Sequence, residues 1–233
     1  MVSAVQIGDR KAIAVSQAPA GGGIVSGMET SPDHLRLFIA LAIPAEVKGE
    51  LGKAQAELRR HAATPSVRWV RSGQFHLTLR FLGNVAAGRV AMLEKAMAAA
   101  CAGFGPLPLE AKGIGCFPNE LRPRVVWVGV EEPRGDLKSL WRAIESAARE
   151  FTREPAEDAF VGHLTLARIK RIDHSALTAL LRTAREMAQR PFGTWTAAQV
   201  EIVRSEPGPD GSRYSTLAAI PLRPGAPGVS NRQ

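Results

Sequence analysis

The chain spells the word His-Leu-Thr-Leu twice, at His76-Leu77-Thr78-Leu79 and again 87 residues later at His163-Leu164-Thr165-Leu166. It has only five histidines, and two of them open this word. At ordinary residue frequencies such a recurrence arises by accident in roughly a few chains per thousand. An internal repeat constrains a fold strongly, because each copy should build the same supersecondary unit.

Both copies have the period of strands. In 75–82, Phe75, Leu77, Leu79 and Phe81 alternate with His76, Thr78 and Arg80, which is the mark of a half-buried strand. The leucines face a core, and His76 and Thr78 share the opposite face. In the second copy His163 and Thr165 do the same. Two such strands, one in each half of the chain, predict a pseudo-symmetric groove with two imidazoles facing each other.

The surroundings alternate between strands and helices. Leu35 to Ile43 reads as a buried strand, and Pro44 fits the first turn of a helix to about His61, with Val47, Leu51, Ala54 and Leu58 on one face. A short strand at Val67–Val70 leads into the first histidine strand, which Gly83-Asn84 is expected to end. Helices are expected at about Ala87–Ala102, Arg134–Thr152 and Ser175–Arg190, the last capped by Ser175. Further strands are expected at Pro106–Cys116, Arg124–Val130, Phe160–Ile169, Trp195–Val203 and Arg213–Leu222, with Pro191-Phe192-Gly193 as a turn. About eight strands and four helices, some strands joined as hairpins, predict an α+β fold. Two similar lobes of antiparallel or mixed sheet would line a central groove, with helices outside.

Residues 1–33 lack periodicity and contain Gly21-Gly22-Gly23, so they are expected to form a flexible extension, as is the tail from 223 to 233. The domain proper is expected at 34–222. No stretch has the roughly 18 apolar residues of a membrane span, so no membrane partner is expected. The two cysteines, Cys101 and Cys116, lack metal-ligand spacing and read as free thiols of a reducing cytoplasm. The net charge of +8 favours a nucleic acid, nucleotide or phosphate partner. A monomer is the default expectation.

Two histidines on opposite sides of one phosphorus suit phosphodiester chemistry. One imidazole takes a proton from water while the other gives one to the leaving alkoxide, since both titrate near working pH. Each threonine hydroxyl, on the same strand face, can donate to a non-bridging phosphate oxygen. The scheme needs neither metal nor cofactor. A pair of histidines could also be half a metal site, but no further ligands stand nearby in sequence. His34, His61 and His174 read as incidental.

The paired words and their flanks, Arg36-Leu37-Phe38-Ile39-Ala40, Val67-Arg68-Trp69-Val70, His76 to Gly83 and Phe160 to Arg168, resemble the two-histidine phosphoesterases. Within that superfamily they are similar to the bacterial RNA 2′,3′-cyclic phosphodiesterase branch, first described as RNA 2′-5′ ligase. Ser205, Gly211 and Tyr214-Ser215-Thr216-Leu217 are similar as well, so the likeness spans Leu35 to Leu222. The resemblance implies a bilobal fold and metal-independent opening of an RNA 2′,3′-cyclic phosphate to a 2′-phosphomonoester. It casts His76 as proton donor to the leaving 3′ oxygen and His163 as the base that activates water. Thr78 and Thr165 would hold the phosphate, joined by Arg168. Strict alternation puts Arg168 on the Leu166 face, so it reaches the groove only through a twist or the strand's end. Arg80 has the right parity and is a second phosphate candidate. Phe38 matches an aromatic that packs against a base, though it could equally be strand core. Many family members have proline before the second histidine, where this chain has Gly162. Two other readings remain: a 2′-5′ end-joining ligase running the reverse step, and a non-catalytic RNA-end-binding module.

Overall fold

A computed structural model describes residues 33–156, 159–208 and 211–223. The expected terminal extensions therefore lie outside the described residues, apart from Asp33 and Arg223. Nine strands and four α-helices are found among the described residues. In chain order they are β1 (His34–Leu41), α1 (Ala45–Arg59), β2 (Val67–Trp69), β3 (Leu77–Ala86), α2 (Val90–Cys101), β4 (Leu107–Phe117), β5 (Val125–Glu131), α3 (Asp136–Ala148), β6 (His163–Ile169), α4 (His174–Glu186), β7 (Pro191–Ala197), β8 (Gln199–Glu206) and β9 (Arg213–Pro221).

The strands form two antiparallel sheets, the first ordered β3-β1-β8-β9 and the second β2-β6-β5-β4-β7. The fold is α+β and two-lobed, as the repeat implied. The lobes, however, are not the two halves of the chain. β4, from the first half, completes the second sheet, and β8 and β9, from the second half, complete the first. The helices cross over in the same sense. α1 follows β1 of the first sheet but packs on β7 and α4, whereas α3 follows β5 of the second sheet but packs on β3 and α2. Neither half could bury its leucines alone, so the two repeats form one cooperative unit with one large core.

The helix faces follow the apolar periodicity. α1 buries Val47, Leu51, Ala54 and Leu58, and α3 buries Leu137, Leu140, Trp141, Ile144 and Ala148. Five local expectations are corrected. The first histidine strand does not stop at Gly83-Asn84 but runs to Ala86, because Gly83 adopts φ +67° and absorbs an irregularity without ending the pairing with β1. The segment 160–162 precedes the second histidine strand rather than belonging to it. The stretch read as one strand from Trp195 is two, since the chain leaves the second sheet after Ala197 and enters the first at Gln199. Pro191-Phe192-Gly193 opens β7 and is not a turn. Finally, the cap of α4 is Asp173, which accepts from the Ala176 N–H, while Ser175 donates to the Asp173 carboxylate.

Candidate active site

The two histidine words lie at the beginnings of β3 and β6, the strands through which the two sheets touch. Each is followed by a bulge at the same place. On β3, Thr78 stands opposite Ala40 and Arg80 opposite Ile39, so Leu79 is the extra residue. On β6, Thr165 stands opposite Trp127 and Ala167 opposite Val126, so Leu166 is the extra residue. An extra residue reverses the alternation beyond it. Beyond the first bulge Phe81 therefore faces the groove beside Phe38, and beyond the second Arg168 does so opposite Val125.

The bulges correct one expectation and explain another. Arg80, a phosphate candidate by strict alternation, is carried to the core side and is buried to 1% exposure. Its guanidinium is engaged by Glu145 of α3, with Nε to Oε2 at 3.0 Å, and it donates to the carbonyls of Glu154 and Pro155. It cannot reach a substrate. Arg168, which alternation assigned to the leucine face, is brought round to the groove by its bulge.

The histidines are held alike. His76 Nδ1 lies 2.7 Å from the carbonyl of Gln74, and His163 Nδ1 lies 2.8 Å from the carbonyl of Val161. In each case the carbonyl accepts, so Nδ1 carries the hydrogen and Nε2 is left for chemistry. Aromatic rings wall both imidazoles. His76 lies 4.7 Å from Phe38 and meets Tyr214 edge-on at 5.3 Å, while His163 meets Phe117 edge-on at 5.0 Å and Trp127 at 6.4 Å. Phe38 thus shares the strand face that meets His76 and is almost wholly buried, packed with Ala40, Val203 and Phe81. Both threonines are half-buried on this face, and neither hydroxyl has a hydrogen-bond partner among the described residues.

Burial is the main cause that lowers both imidazole pKa values. His76 is pushed down to about 4, against the pull of the Gln74 carbonyl, with the charges of His163, Arg168 and Lys48 adding to the effect. His163 is lowered by burial and by Arg168, against the Val161 carbonyl. Arg168 is itself disfavoured as a cation, by burial first and then by Arg36, while Tyr214 opposes this. The two imidazoles and Arg168, drawn from both sheets, therefore share one electrostatic neighbourhood. Every member is more comfortable with an anion among them.

Tyr214, Arg36, Phe117 and Trp127 were not singled out as site residues in the sequence. Arg36 could have been, since it is two residues before Phe38 and so shares its strand face. Tyr214, the chain's one tyrosine, arrives from β9, and only the sheet order brings it to His76. Gly162 suits its place because an added Cβ would sit 2.7 Å from the Val130 carbonyl. His61 is elsewhere, its Nε2 3.1 Å from the Thr183 hydroxyl. Among the described residues no cluster of three or more His, Cys, Asp or Glu could hold a metal ion, and no helix is long and apolar enough to cross a membrane.

The repeat seen in the sequence is also that of a known family. The profile of the LigT like Phosphoesterase family matches twice in tandem, over residues 41–127 and 128–214. The chain belongs to the LigT-like phosphoesterase family. Among its relatives, the RNA 2′,3′-cyclic phosphodiesterase of Methanothermobacter thermautotrophicus is 28% identical over 189 residues, covering 81% of this chain and 99% of that protein. The RNA 2′,3′-cyclic phosphodiesterase of Aeropyrum pernix is 33% identical over 160 residues, covering 69% and 88%. In three dimensions, TT0787 of Thermus thermophilus superposes with a TM-score of 0.65 at 28% identity, covering 81% of this chain and 98% of that one. The boundary between the two family matches falls inside β5, so each LigT-like repeat is a sequence unit that the sheets then interleave.

Proposed function

We propose that this protein hydrolyses the terminal 2′,3′-cyclic phosphate of RNA to a 2′-phosphomonoester. The observation that carries the reading is the matched presentation of two imidazoles. Each is clamped at Nδ1 by the carbonyl two residues upstream and offers Nε2 to a groove that also holds Arg168. The activity carried by the relatives' names agrees with it.

In this scheme the cyclic phosphate enters between the motifs. Thr78 and Thr165 donate hydrogen bonds to its non-bridging oxygens, and Arg168 balances its charge. His163 Nε2, neutral, takes a proton from water as the water attacks phosphorus. His76 Nε2, protonated, gives its proton to the departing 3′ oxygen. Bond making and breaking lie on opposite sides of phosphorus, which is the arrangement in-line displacement needs. The anion offsets the positive charges that oppose an imidazolium at His76, so the substrate itself helps to charge its general acid. The base of the terminal nucleotide packs on the Phe38 and Tyr214 side. The scheme requires no metal ion.

The test is turnover of a 2′,3′-cyclic nucleotide in the presence of EDTA by wild-type protein and by His76→Ala and His163→Ala. Chelator should leave the rate unchanged, and each substitution should lower kcat by about 10²-fold or more. Wild-type rates in either variant would rule the scheme out.

A further inference from the structure

β2 gives one side chain to the groove side of the second sheet. Val67 is buried in the core, and Trp69 packs against that core while donating its indole N–H to the Ala62 carbonyl. Arg68, between them, points the other way and is exposed. In the β2–β6 register it stands directly opposite Arg168. Arg36 shares the groove face of β1 with Phe38 and lies close enough to Arg168 to disfavour its charge.

This grouping is costly for the folded chain. Like charges directly opposite each other on neighbouring strands destabilise a sheet. Some arginines elsewhere have carboxylate partners, among them Arg80 with Glu145, Arg89 with Glu150, Arg185 with Glu120 and Arg190 with Glu57. Arg36, Arg68 and Arg168 have none among the described residues. A cyclic phosphate carries a single negative charge, and Arg168 with the two threonines suffices for it. Arg68 and Arg36 are then left facing the same groove with no anion of their own. Cross-strand neighbours have Cβ atoms about 5 Å apart. Two long guanidinium side chains rooted there can engage phosphates belonging to successive nucleotides. The fork of an arginine also suits the two free oxygens of a phosphodiester.

We propose that Arg68, seconded by Arg36, binds the phosphodiester on the 5′ side of the terminal nucleotide, so that the preferred substrate is an oligonucleotide end and not a free cyclic mononucleotide. This rests on the hydrolase reading above and adds a second phosphate subsite to it.

The experiment compares kcat/KM for a cyclic mononucleotide with that for a dinucleotide ending in the same 2′,3′-cyclic phosphate, using wild type, Arg68→Gln and Arg68→Glu. Wild type should favour the dinucleotide by about tenfold, the worth of one charge-assisted bond. Arg68→Gln should erase that preference, leave mononucleotide turnover within twofold of wild type and keep the thermal midpoint at or above the wild-type value. Its dinucleotide kcat/KM should also fall less steeply with salt, the log–log slope shrinking by about 0.7. Arg68→Glu should lower dinucleotide turnover further. Equal losses on both substrates, or no loss on the dinucleotide, would overturn the subsite. If wild type turned over neither substrate, the hydrolase reading would fall by itself, and binding would decide the subsite. Fluorescence anisotropy with a labelled 3′-phosphate-ended dinucleotide should then show weaker binding by Arg68→Gln, with nucleoside monophosphate affinity unaltered. Unaltered dinucleotide affinity would overturn it.

Discussion

Phe81 and Arg168 occupy equivalent places in the two repeats. Each comes five residues after its motif histidine, past the same bulge, and faces the groove. One repeat thus supplies an aromatic ring where the other supplies a cation, and the approximate two-fold symmetry of the fold is broken at this pair. The first sheet's side of the groove, with Phe38, Phe81 and Tyr214, suits a base, and the second sheet's side suits a phosphate. This gives the groove a direction.

Arg168 should accordingly matter far more than its repeat mate. Arg168→Ala is expected to lower kcat/KM for a cyclic phosphate by about 10²-fold, the usual consequence of losing one preorganised charge-stabilising donor. Arg168→Lys should recover only part of this, because an ammonium lacks the planar fork. Steady-state kinetics, with circular dichroism to confirm an intact fold, checks both.

The proposed acid–base pair should leave a signature in the pH dependence of rate. Both free-protein imidazoles are depressed below their ordinary value of 6.5, His76 to about 4. The bell of kcat/KM, which reports the free enzyme, should therefore peak on the acid side of 6.5. The bell of kcat, which reports the complex, should move upward, because a bound phosphate monoanion favours the imidazolium. Coincident bells would mean that the substrate does not lie between these rings.

The same depressed values predict an acid-sensitive fold. In the unfolded chain an imidazole binds its proton below about 6.5. In the folded protein His76 resists protonation until about pH 4. Between these limits the unfolded state holds more protons, so stability rises with pH across the window and is lost as pH falls through it. The slope approaches about 1.4 kcal/mol per pH unit for each such histidine. Urea titrations at pH 7 and pH 5 should show the loss, and His76→Gln should reduce it.

Arg80 should behave as a structural residue. Removing one member of a buried ion pair strands the other, at a cost of about 3–5 kcal/mol. Arg80→Ala and Glu145→Ala should therefore each lower the denaturant midpoint strongly. The Arg80→Met, Glu145→Leu double variant should recover much of the loss, since an apolar pair of similar volume leaves no orphaned charge. Where either single variant remains folded, its KM should stay close to wild type.

Much of the candidate site was legible because it repeats. His76, Thr78, His163 and Thr165 are two apart within each word, and both bulges fall beyond the threonines, so the period-two argument held for all four. It failed two residues further on. Arg80 and Arg168 lie on the faces opposite to those that strict alternation gives them, because a bulge leaves little trace in residue order. Leu79 and Leu166 are good core residues whether or not they have a partner across the ladder. The crossing between sheets at Ala198 was equally silent, since alanine carries no turn signal.

What residue order alone decided is the local chemistry: which side chains lie on a common strand face, which helix stripes are apolar, and that one unit is built twice. These follow from the fixed periods of backbone geometry. What only the tertiary structure decided is company. β4 and β8 change lobes, β9 delivers Tyr214 to His76, and β2 sets Arg68 against Arg168, because sheet pairing is a long-range choice made by burial of the whole core and not by any neighbouring residue.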